Sequence, residues 1–230
     1  MGSFSKFDED TILLLAENQF NDSKAHYESV KEQLKQKATV PMRQICSDLS
    51  EKLFRIDPQM NLIPTKMVSR IRRDTRFSKN KNLYRSNVWA MFMRDKHKWR
   101  YKPCMWFEFM PGGYDIGVGL YDCEAALMEK YRETISENPK EFRKAVKTAL
   151  GCGAVPDCEV YKKPKPGNVP KDLELYYNAK YIYFIRHSED LKPLFDGSIM
   201  NELEKTIDAF APMYRFLLKA TDKMTYEKGR

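Results

Sequence analysis

The sequence predicts an α+β domain, in which an antiparallel sheet is covered by helices and flanked by helical N-terminal and C-terminal segments. Three observations carry this expectation. Apolar residues recur at three- and four-residue spacing early in the chain and again after residue 122, short aromatic and branched runs lie between, and a Pro-Gly-Gly turn joins two of those runs. With 230 residues, 42% of them hydrophobic and 13% aromatic, the chain can bury one large core. No flexible linker or repeat divides it, so residues 1–230 are read as a single domain.

The first helix is expected over Thr11 to Glu17, after Asp8, Glu9 and Asp10, which suit the positive end of a helix. Tyr27, Val30, Leu34, Ile45, Leu49 and Leu53 then mark the apolar stripe of a long amphipathic helix. Pro41 kinks it or begins a second helix, with Thr39 as a candidate cap. Strands are expected at Lys66–Arg73, Val88–Arg94, Cys104–Met110 and Tyr114–Leu120, the last two joined by Pro111-Gly112-Gly113. Gly117 and Gly119 alternate on one face and leave room for another backbone, a closely packed helix or a ligand. Asn138 and Pro139 open a further helix, with Glu141 placed for a capping box and Gly151 as its close. Glu159–Lys162 and Tyr181–Ile185 read as strands and Asp172–Asn178 as a short helix. Ile199–Ala220 reads as a terminal helix interrupted near Pro212.

Composition narrows the class of function. No apolar stretch is long enough to span a bilayer, and the N-terminus lacks the pattern of a signal peptide, so no membrane partner is expected. The cysteines number five, an odd count without a C-x-x-C pair, which argues against a disulfide framework and for the cytoplasm. His26, His97 and His187 are scattered without zinc-ligand spacing, so no metal is expected, and no pattern names a cofactor.

The basicity is local. Arg70 to Lys102 holds twelve lysines and arginines against two acids, Asp74 and Asp95, although the whole chain is only +8. Such a concentrated field raises the surface potential and points to an anionic partner. Within Arg70-Ile-Arg-Arg-Asp-Thr-Arg-Phe-Ser-Lys-Asn-Lys81, a persistent strand would place Arg70, Arg72, Asp74 and Arg76 on one face and Ile71 with Arg73 on the other. Guanidinium groups bind carboxylate or phosphate through paired hydrogen bonds. Ser78, Lys79, Lys81 and Tyr84 add donors on the following loop, which completes a candidate anion cradle. The alternative is that Asp74 pairs with Arg73 or Arg76 to pin a corner, with the lysines solvated.

This stretch, with Tyr84 and Asn87, resembles the signature of a family of bacterial and fungal conserved hypothetical proteins classed as a domain of unknown function. The resemblance continues through Phe20-Asn21 to Tyr27, Pro111-Gly112 to Tyr121, Asn138-Pro139 with Phe142, Lys163-Pro164, Lys180, and Pro212 to Leu217. It implies a single α+β domain and lends no activity. Gln19, Arg72, Asn80 and Leu83 depart from that pattern, which usually has tryptophan, tyrosine, aspartate and proline there; a role for a carboxylate at position 80 is therefore not carried over.

Three functions fit. The first is a binding module for an anion, most simply a phosphorylated or carboxylated small molecule, with nucleic acid as a further partner if Trp89, Phe92, Trp99, Tyr101 and Trp106 stack bases. The second is an enzyme on such a molecule, with Asp74 or Glu108 as base, Tyr84 or Lys81 as acid, and Arg70, Arg73 and Arg76 stabilising charge. No phosphate loop, dinucleotide fingerprint or nucleophile motif supports a particular reaction. The third is a scaffold whose basic face meets an acidic protein. A flat surface around residues 70–102 would favour the scaffold, and a concave pocket the other two.

Overall fold

The chain's structure, a computed structural model, describes residues 2–76, 79–94, 100–120 and 123–224. The N-terminal third is helical: α1 (Thr11–Asn21), α2 (Lys24–Leu34), α3 (Val40–Asp48), α4 (Ser50–Ile56) and the single turn α5 (Pro64–Met67). Asp10 precedes α1 without capping it and instead pairs with Lys37 at 2.5 Å. Between α2 and α3 the chain widens into a π-helical turn, Lys35–Thr39. Pro41 then lies in the first turn of α3, where a missing N–H is tolerated, while Thr39 makes no side-chain cap. Because Pro41 cannot donate, the Lys37 carbonyl four residues earlier lacks its helical partner. Thr11 Oγ1 donates to it at 3.3 Å, tying α1 to the bend.

The sheet contains β1 (Val88–Phe92), β2 (Cys104–Met110), β3 (Gly113–Leu120), β4 (Val155–Asp157) and β5 (Ile182–Ser188), in the order β1-β2-β3-β5-β4 with every pairing antiparallel. Gly112 supplies the positive φ, +98°, that the β2–β3 turn demands. Two expected strands differ. Lys66–Arg73 is not a strand, because Pro64 starts the helical turn α5, after which the chain forms only single bridges, Val68 to Ala90 and Arg72 to Tyr84. Around the second bridge, Arg73 N–H donates to Leu83 and Arg85 N–H to Ile71, making a narrow ribbon. Its far side is anchored to α1: Asp22, in the left-handed region at φ 42°, accepts the Leu83 and Tyr84 N–H groups at 2.7 and 3.1 Å. Likewise the strand expected at Glu159–Lys162 is a single bridge, Val160 to Ala179, and the ladder to β5 is made earlier by β4.

The second helical block comprises α6 (Ala125–Glu137), α7 (Pro139–Gly151), α8 (Glu174–Tyr177), α9 (Lys192–Asp196) and α10 (Ile199–Asp222). Pro139 occupies the first turn of α7, but the expected capping box does not form. The Asn138 amide donates back to Thr134, and Glu141 pairs with Lys219 of α10 at 2.6 Å. Nor does Pro212 interrupt α10, which runs on for 24 residues. A helix-interior proline costs about 3 kcal/mol; the fully buried Phe210, Met213, Tyr214, Phe216 and Leu217 around it offset that loss.

α10 lies along β2 and β3 and packs against α6 and α7, and α3 packs on β1. The covered sheet face is the core: Phe107, Phe109, Ile116, Val118 and Phe184 are fully buried. One buried polar network joins the layers. Asp57, after α4, accepts from Arg94 Nε at 2.6 Å and from the Tyr214 hydroxyl at 3.0 Å. Burial pushes that carboxyl up, and the bonds from Arg94, the Gln59 N–H and Tyr214 outweigh it, leaving it below its ordinary range. The fold is therefore α+β, an antiparallel sheet covered by helices. Among the described residues no helix is long and apolar enough to cross a membrane.

Candidate functional site

Side chains alternate across each strand, so the residues between the core positions form a second face. The register arranges them in rows. Trp89, Glu108, Asp115 and His187 are successive cross-strand partners on β1, β2, β3 and β5. Beside them run Met91, Trp106, Gly117 and Ile185, and then Cys104, Gly119, Tyr183 and Asp157. Gly117 and Gly119 admit close neighbours. A Cβ at Gly117 would fall 2.1 Å from the Trp106 ring, so the indole lies directly on the backbone there. At Gly119 the room is taken by the Ile182 carbonyl and the Tyr183 ring, 2.2 and 2.7 Å from such a Cβ. Trp106 and Tyr183 meet edge to face, with centroids 5.9 Å apart.

Above this face is a cavity of about 540 Å³, lined also by Arg73, Arg85 and Asn87. Its size falls within the ~300–1,000 Å³ of small-molecule sites. Its lining carries both signs of charge. Asn87 donates its side-chain N–H to Glu108 Oε1. Burial chiefly holds the Glu108 carboxyl above its ordinary range; the Asn87 bond pulls the other way, Asp115 opposite adds to the rise, and Arg85 opposes it. Asp115 in turn lies 2.6 Å from His187 Nδ1.

Two guanidinium groups line the cavity as well. Arg85 lies 4.5 Å over the Trp89 ring and donates Nη1 to the Arg70 and Arg72 carbonyls at 2.9 and 3.3 Å. Burial, and then the neighbouring Arg73, lower its pKa. Arg73 Nε is buried and has no hydrogen-bond partner. Among the described residues neither arginine is ion-paired with a carboxylate. Glu108 acts on Arg85 through space, against the effect of burial and of Arg73.

The nine residues expected to bind ligand are dispersed. Arg73 lines the cavity, whereas Arg70, Arg72, Lys79 and Lys81 are exposed. Lys81 Nζ donates to the Thr75 carbonyl at 3.1 Å. Asp74 accepts from Arg76 Nε and Nη2 at 3.0 and 2.7 Å, which holds its carboxyl down to about 2. Tyr84 is buried and stacks on Tyr27, with centroids 4.6 Å apart. Burial raises its phenol. Ser78 lies outside the described residues, as do His97 and Trp99.

Arg85, Asn87, Asp115 and His187 were not singled out as ligands from the sequence. The signal for Asp115 was its hairpin position opposite Glu108, already a candidate base. Cys104, on the same face, has its thiol pushed up to about 12 by burial, which withholds a thiolate nucleophile. Among the described residues no three His, Cys, Asp or Glu side chains are grouped to hold a metal ion. A more open depression beside Phe20 and Asn82 brings no pair of cations together.

No curated protein is similar enough to match this chain. A family of conserved hypothetical proteins, DUF2461, matches residues 10–216, and the chain belongs to that family.

Proposed function

We propose that the protein binds an anionic small molecule, phosphorylated or carboxylated, in the cavity over the uncovered sheet face. The observation that carries this is the pair Arg73 and Arg85, which line an aromatic-walled cavity and, among the described residues, are ion-paired with no carboxylate. Arg73 takes the anion, and Arg85, already held by two carbonyls, supplies a fixed second charge. Trp106 and Tyr183 flank the remainder of the ligand. The exposed Arg70, Arg72, Lys79 and Lys81 raise the potential at the entrance and speed encounter without contacting the bound molecule. A concave site of this volume favours a small anion over nucleic acid or a flat protein interface.

An enzymatic reading has one observation in its favour. Glu108, whose carboxyl burial raises above its ordinary range, shares a row with Asp115 and His187, which sets groups able to exchange a proton on adjacent strands. In that reading a substrate is positioned by the arginines and exchanges a proton with Glu108.

Titration with benzoate and with phenyl phosphate at constant ionic strength, followed by tryptophan emission, tests the binding reading, because Trp89 and Trp106 both line the cavity. Saturable quenching that Arg73→Ala weakens supports it. Quenching that is absent for both anions, or that Arg73→Ala leaves unchanged, overturns it. The enzymatic reading requires in addition that Glu108→Gln bind the same anions and fail to turn over any that the parent protein converts.

A further inference from the structure

The basic loop Tyr161-Lys-Lys-Pro-Lys-Pro-Gly167 takes no part in the sheet cavity, yet it is fixed in place. Tyr161 N–H donates to the Asn178 carbonyl, Lys165 N–H donates to Asn178 Oδ1 at 2.7 Å, and the Tyr177 hydroxyl donates to the Pro166 carbonyl at 2.8 Å. Pro164 and Pro166 stiffen the stretch between these anchors. A loop of lysines ordered in this way has already lost the freedom that ligand binding would otherwise remove.

Three cations are gathered around its first residue. Lys165 Nζ lies 4.2 Å from the centre of the Tyr161 ring, the Arg132 guanidinium 5.8 Å and Lys180 Nζ 5.9 Å. Lys180 pairs with Glu159. Arg132, on α6, is only 6% exposed; its Nη1 is buried without a hydrogen-bond partner, and it enters no ion pair among the described residues. A single tyrosine ring cannot satisfy a guanidinium, which carries five N–H donors. The cluster therefore keeps two positive charges unmatched around one aromatic ring, and the deepest of them has a donor to spare.

We propose that Arg132, Lys165 and Lys180 form a second anion site, separate from the sheet cavity, which takes the phosphate or diphosphate group of a small molecule. The unmatched charge suits the dianion of a phosphate group better than a single carboxylate. Arg132 supplies the planar fork for two oxygens and the lysines supply point charges at the rim. Tyr161 serves as the floor that holds the three cations together before the ligand arrives.

Isothermal titration of the full chain with sodium pyrophosphate, against sodium chloride at matched ionic strength, tests the site. The expected result is saturable binding that Arg132→Lys weakens by about tenfold, since one of two charge-assisted bonds is lost. Lys165→Gln, a change in a surface loop, should weaken it similarly, and the component of binding that Lys165→Gln removes should persist in Arg73→Ala. The proposal is overturned if pyrophosphate binds no better than chloride, if Lys165→Gln has no effect, or if Arg73→Ala alone abolishes binding. The last outcome would assign the heat to the sheet cavity and so leave the reading of that cavity standing.

Discussion

The two faces of the sheet are built from alternate residues of the same strands, yet they answer to different physics. On the face under α10 the central positions are settled by exclusion of water: Phe107, Phe109, Ile116, Val118 and Phe184 are fully buried. On the other face Trp106, Glu108, Asp115, Tyr183 and His187 remain within reach of solvent and retain polar groups that the fold does not need. Nothing about stability requires a glutamate opposite an aspartate there, since like charges directly across a strand pair are unfavourable. Residues that weaken a sheet while lining a cavity are better explained by what enters the cavity.

The sharpest break between the faces should appear in unfolding experiments. Phe107→Ala removes a fully buried ring from the centre of the core and should cost about 3–5 kcal/mol in a urea titration. Trp106→Ala, one residue away on the half-buried face, should cost distinctly less while reducing the tryptophan response to ligand to that of Trp89. If both cost the same, the second face is a core in its own right. Next in size, Gly117→Ala drives a methyl into the Trp106 ring and should destabilise by about 1–3 kcal/mol, with a shift in tryptophan emission as the indole is displaced. An unchanged spectrum would mean that the ring does not rest on that glycine.

The smallest effect concerns pH. The Glu108 carboxyl is raised, so its neutral form is the one the fold prefers. Its contribution to stability is complete below the ordinary glutamate range and disappears as pH rises through the raised folded value. Glu108→Gln should thus have a higher urea midpoint than the parent protein at pH 8, with the advantage vanishing near pH 4. A variant less stable at pH 8 than at pH 4, relative to the parent, would show that the charged form is the favoured one.

Much of this architecture was legible in advance because periodicity reports burial. The β2–β3 hairpin declared itself through alternating aromatics and a Pro-Gly-Gly turn, and α7 through Asn138-Pro139. Prolines misled where tertiary packing overrides local preference. Pro212 sits inside an unbroken α10 because the buried residues around it hold the helix together, and Pro64 converted an expected strand into α5. The site was harder to read. Charge density drew attention to residues 70–81, but density says nothing about direction. Asp74 closes on Arg76, Tyr84 turns into the core, and Arg73 reaches the cavity, where it meets Arg85, Asn87 and Glu108 from outside that segment. That convergence depends on a ribbon anchored by Asp22, 61 residues from Leu83 in sequence and invisible to any local pattern.

The contrast between an exposed charge and an inward one also supplies the most direct test. Affinity for phenyl phosphate, measured calorimetrically with Arg72→Ala and Arg73→Ala side by side, compares neighbouring arginines that differ in where they point. A loss of about tenfold or more for Arg73→Ala with little change for Arg72→Ala is the predicted result. Equal losses, or a loss confined to Arg72→Ala, would contradict an anion site inside the cavity and return the basicity of this segment to its surface.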